Sequence, residues 1–152
     1  RLLNMDRRVL YTASVYFHRF YLFHSFQTQN RFHVALACLF LSGKVEEKAY
    51  KLKELVHSYF LLRYRRKPDD TEFRDTMKQV ILAERLVLHT LNFDLTMYHP
   101  YTAFVTKMRD WRGFVPEESR KQLMQTAVNF LNDTYRSTFC LEYTPQEIAV
   151  AV

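Results

Sequence analysis

From Val34 to Leu41 the chain reads V-A-L-A-C-L-F-L, eight apolar residues without a polar interruption. A fully buried strand would show the same run, so periodicity alone leaves two choices. The alanines and leucines, a length near fifteen residues across 33–47, and the charged tail Lys44-Val45-Glu46-Glu47 favour a helix. A helix apolar on every side must be enclosed by other elements. Residues 33–47 are therefore the predicted centre of the fold, emerging into solvent at the charged end.

The other segments supply the expected wrapping. Asn4-Met5-Asp6 offers a helix N-cap, and an aromatic-rich pattern through Val9, Ala13, Tyr16, Phe17, Phe20 and Tyr21 runs from there to Gln27. Thr28-Gln29-Asn30 is a polar break. Residues 49–63 repeat an amphipathic pattern through Leu52, Leu55, Val56, Tyr59 and Phe60, and 65–71, with Pro68, read as a loop. Residues 73–92 form the longest predicted helix. At about 100° per residue, Met77, Val80, Ile81, Val87, Leu88 and Leu91 share one arc, with Lys78, Arg85, His89 and Asn92 opposite. Glu84 falls at the centre of the apolar arc. A carboxylate there is costly unless a cation or donor meets it, so Glu84 either forms an internal salt bridge or waits at a surface for a partner. A connector through Phe93-Asp94-Leu95 and His99-Pro100 leads to helical patterns over 101–111 and 116–138 and a last one from near Pro145. Pro116 and Pro145 suit first-turn positions.

Sliding the chain by 114 residues superposes 13–38 on 127–152 without a gap. Ala13/Ala127, Tyr21/Tyr135, Ala35/Ala149 and Ala37/Ala151 are identical, and Val34/Ile148 and Leu36/Val150 are similar. The shared order of long helix, polar break and apolar helix points to duplication. A second copy would then stop as its own central helix begins.

Composition narrows the class. Two glycines and four prolines among 152 residues leave little turn chemistry for many short strands, which makes the fold all-α. The net charge of +6 is a moderate basic bias, compatible with acidic partners without specifying nucleic acid. Cys38 and Cys140 read as reduced thiols, an expectation of cytosol or nucleus. No apolar stretch approaches membrane-spanning length, and the opening residues do not form a signal peptide. The abrupt ends give the expectation of a fragment cut inside a larger fold.

Enzyme chemistry finds no foothold. No Gly-x-x-x-x-Gly-Lys or Gly-x-Gly-x-x-Gly loop is present, and the six histidines include no His-Glu-x-x-His pair. Without a Cys-x-x-Cys, no metal site or cofactor is expected. The run Arg63, Arg65, Arg66 and Lys67, with Tyr64 interleaved, offers a contact to nucleic acid or to a phosphorylated tail, but a solvated loop is the favoured reading, because Asp69 and Asp70 follow at once and weaken any positive field. Gly43, inside a helical pattern, predicts close approach by a neighbouring helix.

Four segments carry a family resemblance: Tyr16-Phe17-His18-Arg19-Phe20-Tyr21, residues 38–47 ending Lys44-Val45-Glu46-Glu47, Glu84-Arg85-Leu86-Val87-Leu88 with Leu91-Asn92-Phe93-Asp94-Leu95, and His99-Pro100-Tyr101. They resemble the cyclin box, and more narrowly that of the transcriptional cyclins T and K. Asn132-Asp133, Leu141 and 145–152 are similar to the second box of cyclin K.

The resemblance implies tandem five-helix boxes, the third helix of each buried at its centre. Residues 1–97 would be the first box, lacking most of its first helix, and 98–152 the truncated start of the second. It also implies a non-catalytic nuclear subunit that binds and activates a transcriptional cyclin-dependent kinase. The substrates implied include the C-terminal repeats of RNA polymerase II, with which association would be indirect. In that family a lysine closing helix three and a glutamate on helix five reach the kinase, positions matched by Lys44 and Glu84. Leu88, Phe93 and Leu95 match the apolar contacts. The chain departs from the pattern where Lys48-Ala49-Tyr50 replace the proline that commonly follows Lys-Val-Glu-Glu. The competing expectation is a cyclin-fold adaptor like transcription factor IIB, which would present a basic face on its second unit.

Overall fold

The computed structural model describes residues 5–110 and 116–152; Asn4 of the expected cap and Trp111 of the expected fifth helix lie outside them. Every regular element among the described residues is helical. The chain divides into two compact units, Arg1–Leu95 and Thr96–Val152.

In the first unit, α1 (Arg7–Tyr21), α2 (Arg31–Val45), α3 (Leu52–Tyr64) and α4 (Asp70–Thr90) follow one another. Asp6 caps α1 by accepting from the Arg8 N–H, and Asn30 caps α2 by accepting from the Phe32 N–H. The central helix thus begins two residues earlier than its apolar pattern, because the last residue of the polar break is its cap.

Helix α2 packs on both α1 and α4, while α3 packs on α4 and α2. Val34, Leu36, Ala37, Cys38 and Leu41 of α2 are buried together with Val9, Val15, Tyr16 and Phe20 of α1 and Val80 and Val87 of α4. Each large side chain removed from water in this way contributes about 1.5–3 kcal/mol. Enclosure is not complete, however. Leu39 and Phe40 remain half-buried and Lys44 is exposed.

Several boundaries differ from the sequence pattern. Helix α1 stops at Tyr21 rather than running to Gln27, and Leu22, Phe23 and Phe26 of the following turns are exposed. Apolar side chains there extended the pattern without extending the helix. Ala49 precedes α3 instead of opening it, and Asp69 and Asp70 belong to the start of α4 rather than to a loop. Ile81, placed on the apolar arc by periodicity, is 44% exposed at its edge; the buried face runs through Thr76, Val80, Ala83, Glu84 and Val87.

The second unit contains α5 (Pro100–Asp110), α6 (Glu117–Thr134), a single turn α7 (Phe139–Glu142) and α8 (Pro145–Ala151). Its core joins Phe104, Met108, Ala127, Leu131, Ile148 and Ala149. The pattern over 116–138 ends as a helix at Thr134, and α7 was not foreseen. Pro116 stands at the N-cap position, one residue before the helix. Pro145 does occupy the first turn of α8, whose cap Thr144 accepts from the Glu147 N–H. The N-cap residues Asn30 and Thr144 are 114 residues apart, the offset of the internal repeat. Ala13 and Ala127 are both buried, as are Val34 and Ile148, but Leu36 is buried where Val150 is 69% exposed.

Candidate functional site

The last turn of α2 brings Lys44 to the surface, and the middle of α4 brings Glu84 beside it. Lys44 Nζ donates to Glu84 Oε1 at 2.7 Å. The two partners differ in environment: the lysine side chain is 47% exposed and the carboxylate only 11%. Glu84 is therefore neither an unpaired charge nor a fully internal one. Its burial costs free energy that the lysine offsets, and the lysine keeps half its surface for water or another molecule. The Lys44 ammonium also lies 4.0 Å from the centre of the Phe40 ring. That contact fixes the direction of a flexible side chain. Sequence reasoning missed Phe40, although its i, i+4 spacing to Lys44 on a helix was visible.

Both helices that carry the pair end in the same backbone turn. After α2, the Lys48 N–H donates to the Gly43 carbonyl at 2.8 Å and the Glu47 N–H to that of Lys44 at 3.3 Å. Glu47 takes a left-handed conformation, with φ 55°. After α4, the Phe93 N–H donates to the Leu88 carbonyl at 3.0 Å, the Asn92 N–H to that of His89 at 3.0 Å, and Asn92 has φ 51°. These are paired 6→1 and 5→2 bonds of the Schellman type. The chain folds back tightly in each case.

The first of these turns explains Gly43. A Cβ there would meet Tyr50 Cδ2 at 2.9 Å and the Lys48 carbonyl oxygen at 3.0 Å. The close approach expected of a neighbouring helix is thus made by the chain's own return. Tyr50 accepts from the Asp6 N–H, and Thr12 donates to Glu46 Oε1 at 2.6 Å, so the charged tail of α2 is tied to α1.

The second turn places Phe93 with 62% of its surface exposed. Leu88, one turn beyond Glu84, is half-buried, and so is Leu95. Tyr16 donates to the Leu95 carbonyl at 2.9 Å, anchoring the segment after α4 to α1. Burial, with the nearby Glu46 charge second, pushes the Tyr16 phenol well above its ordinary range, so it remains a donor. Lys44 and Glu84 are in direct contact; Leu88 lies one turn beyond Glu84 on α4, and Phe93 and Leu95 follow on the anchored segment.

Elsewhere, a groove of about 580 Å³ in the second unit is lined by Phe130, Phe139, Tyr143, Ile148 and Val152, with Glu147 among the described residues that border it. Glu147 already accepts from the Thr144 backbone and hydroxyl, and these bonds hold its carboxyl below the usual range. Among the described residues, no three His, Cys, Asp or Glu side chains converge to hold a metal ion. Burial pushes the Cys38 thiol far upward, which keeps it an inert part of the core. No helix among the described residues is long and apolar enough to cross a membrane.

Comparison with known proteins agrees with this architecture. The cyclin N-terminal domain profile matches residues 1–96. Cyclin-K of Homo sapiens is 36% identical over 154 residues, covering 99% of this chain and 25% of that protein. Cyclin-K of Danio rerio is 35% identical, covering 99% and 35%. Cyclin-T1-2 of Arabidopsis thaliana is 37% identical over 155 residues, covering 97% and 32%. The chain belongs to the cyclin family. It spans a quarter to about a third of the length of these relatives.

Proposed function

We propose that this chain is the kinase-binding part of a nuclear regulatory cyclin of the transcriptional type. It binds a cyclin-dependent kinase and stabilises its active arrangement, so promoting phosphorylation of the RNA polymerase II C-terminal repeats and transcription elongation. The kinase supplies the phosphoryl-transfer chemistry, and the cyclin supplies binding energy that favours one conformation. Similarity to cyclins K and T over nearly the whole chain supports this reading.

The observation that carries it is the Lys44–Glu84 pair at the junction of α2 and α4, its lysine half exposed and its carboxylate largely buried. A preformed pair offers directional hydrogen bonds without first paying to order a free lysine. Phe93 offers an apolar anchor of the kind that dominates interface energetics, with Leu88 and Leu95 flanking it in sequence. Residues 98–152 are read as the opening of a second box, supported by the matching positions of Asn30 and Thr144.

Pull-down of the chain against a panel of cyclin-dependent kinases tests the binding. Capture of a transcriptional kinase is the expected result. Capture of none, with the chain folded by circular dichroism, overturns the assignment.

A further inference from the structure

At the opposite end of α2 from Lys44, the half-buried rings of Phe32 and Tyr59 and the exposed ring of Tyr64 form a connected aromatic surface, with the buried Phe60 ring in contact with Tyr59 and Tyr64. Guanidinium groups are laid over it. Arg63 lies 3.6 Å and Arg31 5.0 Å from the centre of the Phe32 ring. Arg63 is also 5.4 Å from the Tyr64 ring, and Arg66 is 5.8 Å from the same ring. A guanidinium stacked on a ring has its plane fixed while its N–H edges stay available. Rings and cations thus alternate in a pre-ordered array at the surface.

The three arginines are not equivalent. Arg66 is committed to Glu72, donating through both terminal nitrogens at 2.6 and 2.5 Å. Arg31 and Arg63 are exposed, and among the described residues no carboxylate lies within ion-pair distance of either. The Tyr64 phenol is pulled below the ordinary range mainly by hydrogen bonding, with Tyr59 first and Arg63 second, and the Arg63 and Arg66 charges add to it.

We propose that this surface docks a phosphorylated peptide, with Arg31 and Arg63 gripping one phosphate monoester. A phosphoserine or phosphothreonine carries close to two negative charges at neutral pH, and its oxygens match planar guanidinium edges two at a time. A single phosphorylated side chain suits the site better than a nucleic-acid strand for two reasons. Guanidiniums already cover the Phe32 and Tyr64 rings, which leaves no open platform for stacked bases. Asp69, Asp70 and Glu72 follow the basic run and oppose a polyanion extending past it. Arg31 and Lys44 stand about 20 Å apart by helical rise, so occupancy at one end of α2 does not obstruct the other.

Heteronuclear NMR titration of the 152-residue chain tests the proposal. The probes are an acetylated Gly-Ser-Gly-Gly peptide with phosphoserine, the same peptide unphosphorylated, and octauridylate. Only the phosphopeptide should shift the signals of Arg31, Phe32, Arg63 and Tyr64 at low concentration. Arg31→Gln and Arg63→Gln should each weaken it about fivefold or more, the gain expected of a charge-assisted contact. Arg8→Gln, beside Glu46 and Lys48 at the far end of α2, should leave it unchanged. If Arg63→Gln lowers the melting temperature, Arg31→Gln carries the test. Equal shifts with the unphosphorylated peptide, undiminished affinity in Arg31→Gln, or tighter binding of octauridylate at equal phosphate concentration would overturn the proposal.

Discussion

Glu84 is the residue at which sequence and structure bear on each other most closely. Its place on the apolar arc of α4 was plain from periodicity, and so was the need for a compensating group. The identity of that group was not, because periodicity says which face of a helix is buried but not which helix covers it. Lys44 is forty residues earlier in the chain, and the ion pair it makes answers the salt-bridge reading of Glu84, while contact with a partner belongs to the proposed function. An ion pair anchored at its carboxylate and open at its ammonium stabilises the fold and still faces outward. Gly43, next to it, shows the opposite limit. Helical context announced the glycine as costly, but the group crowding it belongs to a turn that the sequence did not signal. Gly43→Ala gains about 1 kcal/mol of helix propensity and meets Tyr50 and the Lys48 carbonyl at clashing distances. Overpacking of this kind costs about 1–3 kcal/mol. Thermal denaturation should therefore show Gly43→Ala with a melting temperature unchanged or lowered by several degrees, never raised.

At the scale of elements, strongly apolar stretches were legible and their ends were not. The centre of α2 followed from eight consecutive apolar residues. The turns that close α2 and α4 did not, because Glu47 and Asn92 hold left-handed positions where glycine would have announced them. The start of α4 was hidden differently. Asp69 falls in the 65–71 segment that reads as a loop and Glu72 just ahead of the predicted helix, yet Asp69 accepts from the Glu72 N–H while Glu72 accepts from the Asp69 N–H. This reciprocal cap also receives Arg66, which together with the backbone bond lowers the Glu72 pKa from the ordinary 4.5 to about 2. A carboxylate with a lower pKa in the folded state stabilises fully above its unfolded value and loses that contribution as pH falls toward the folded one. The first turn of α4 should accordingly loosen between about pH 4.5 and 2. Amide hydrogen exchange of residues 70–73 should report it once the intrinsic exchange rate is corrected for pH. In Glu72→Gln that step should vanish; its persistence would place the titrating group elsewhere.

For the whole molecule, the all-α class followed from scarce glycine and proline together with helical patterning, and the family followed from short motifs. The surface around Phe32 was legible only in part: the basic run from Arg63 with Tyr64 stood out, but Arg31 is thirty-two residues earlier and joins Arg63 only at the Phe32 ring. The central claim is activation of a kinase through the junction of α2 and α4. Its most direct measurement is the rate at which a transcriptional cyclin-dependent kinase phosphorylates polymerase repeat peptides, alone, with this chain, and with Glu84→Ala. The chain should raise the rate. Glu84→Ala should lower that activation at least about tenfold while costing only about 1 kcal/mol of stability, since the released lysine is already half hydrated. No activation by the unmodified chain, or a loss in Glu84→Ala that merely follows its unfolded fraction, would contradict the account.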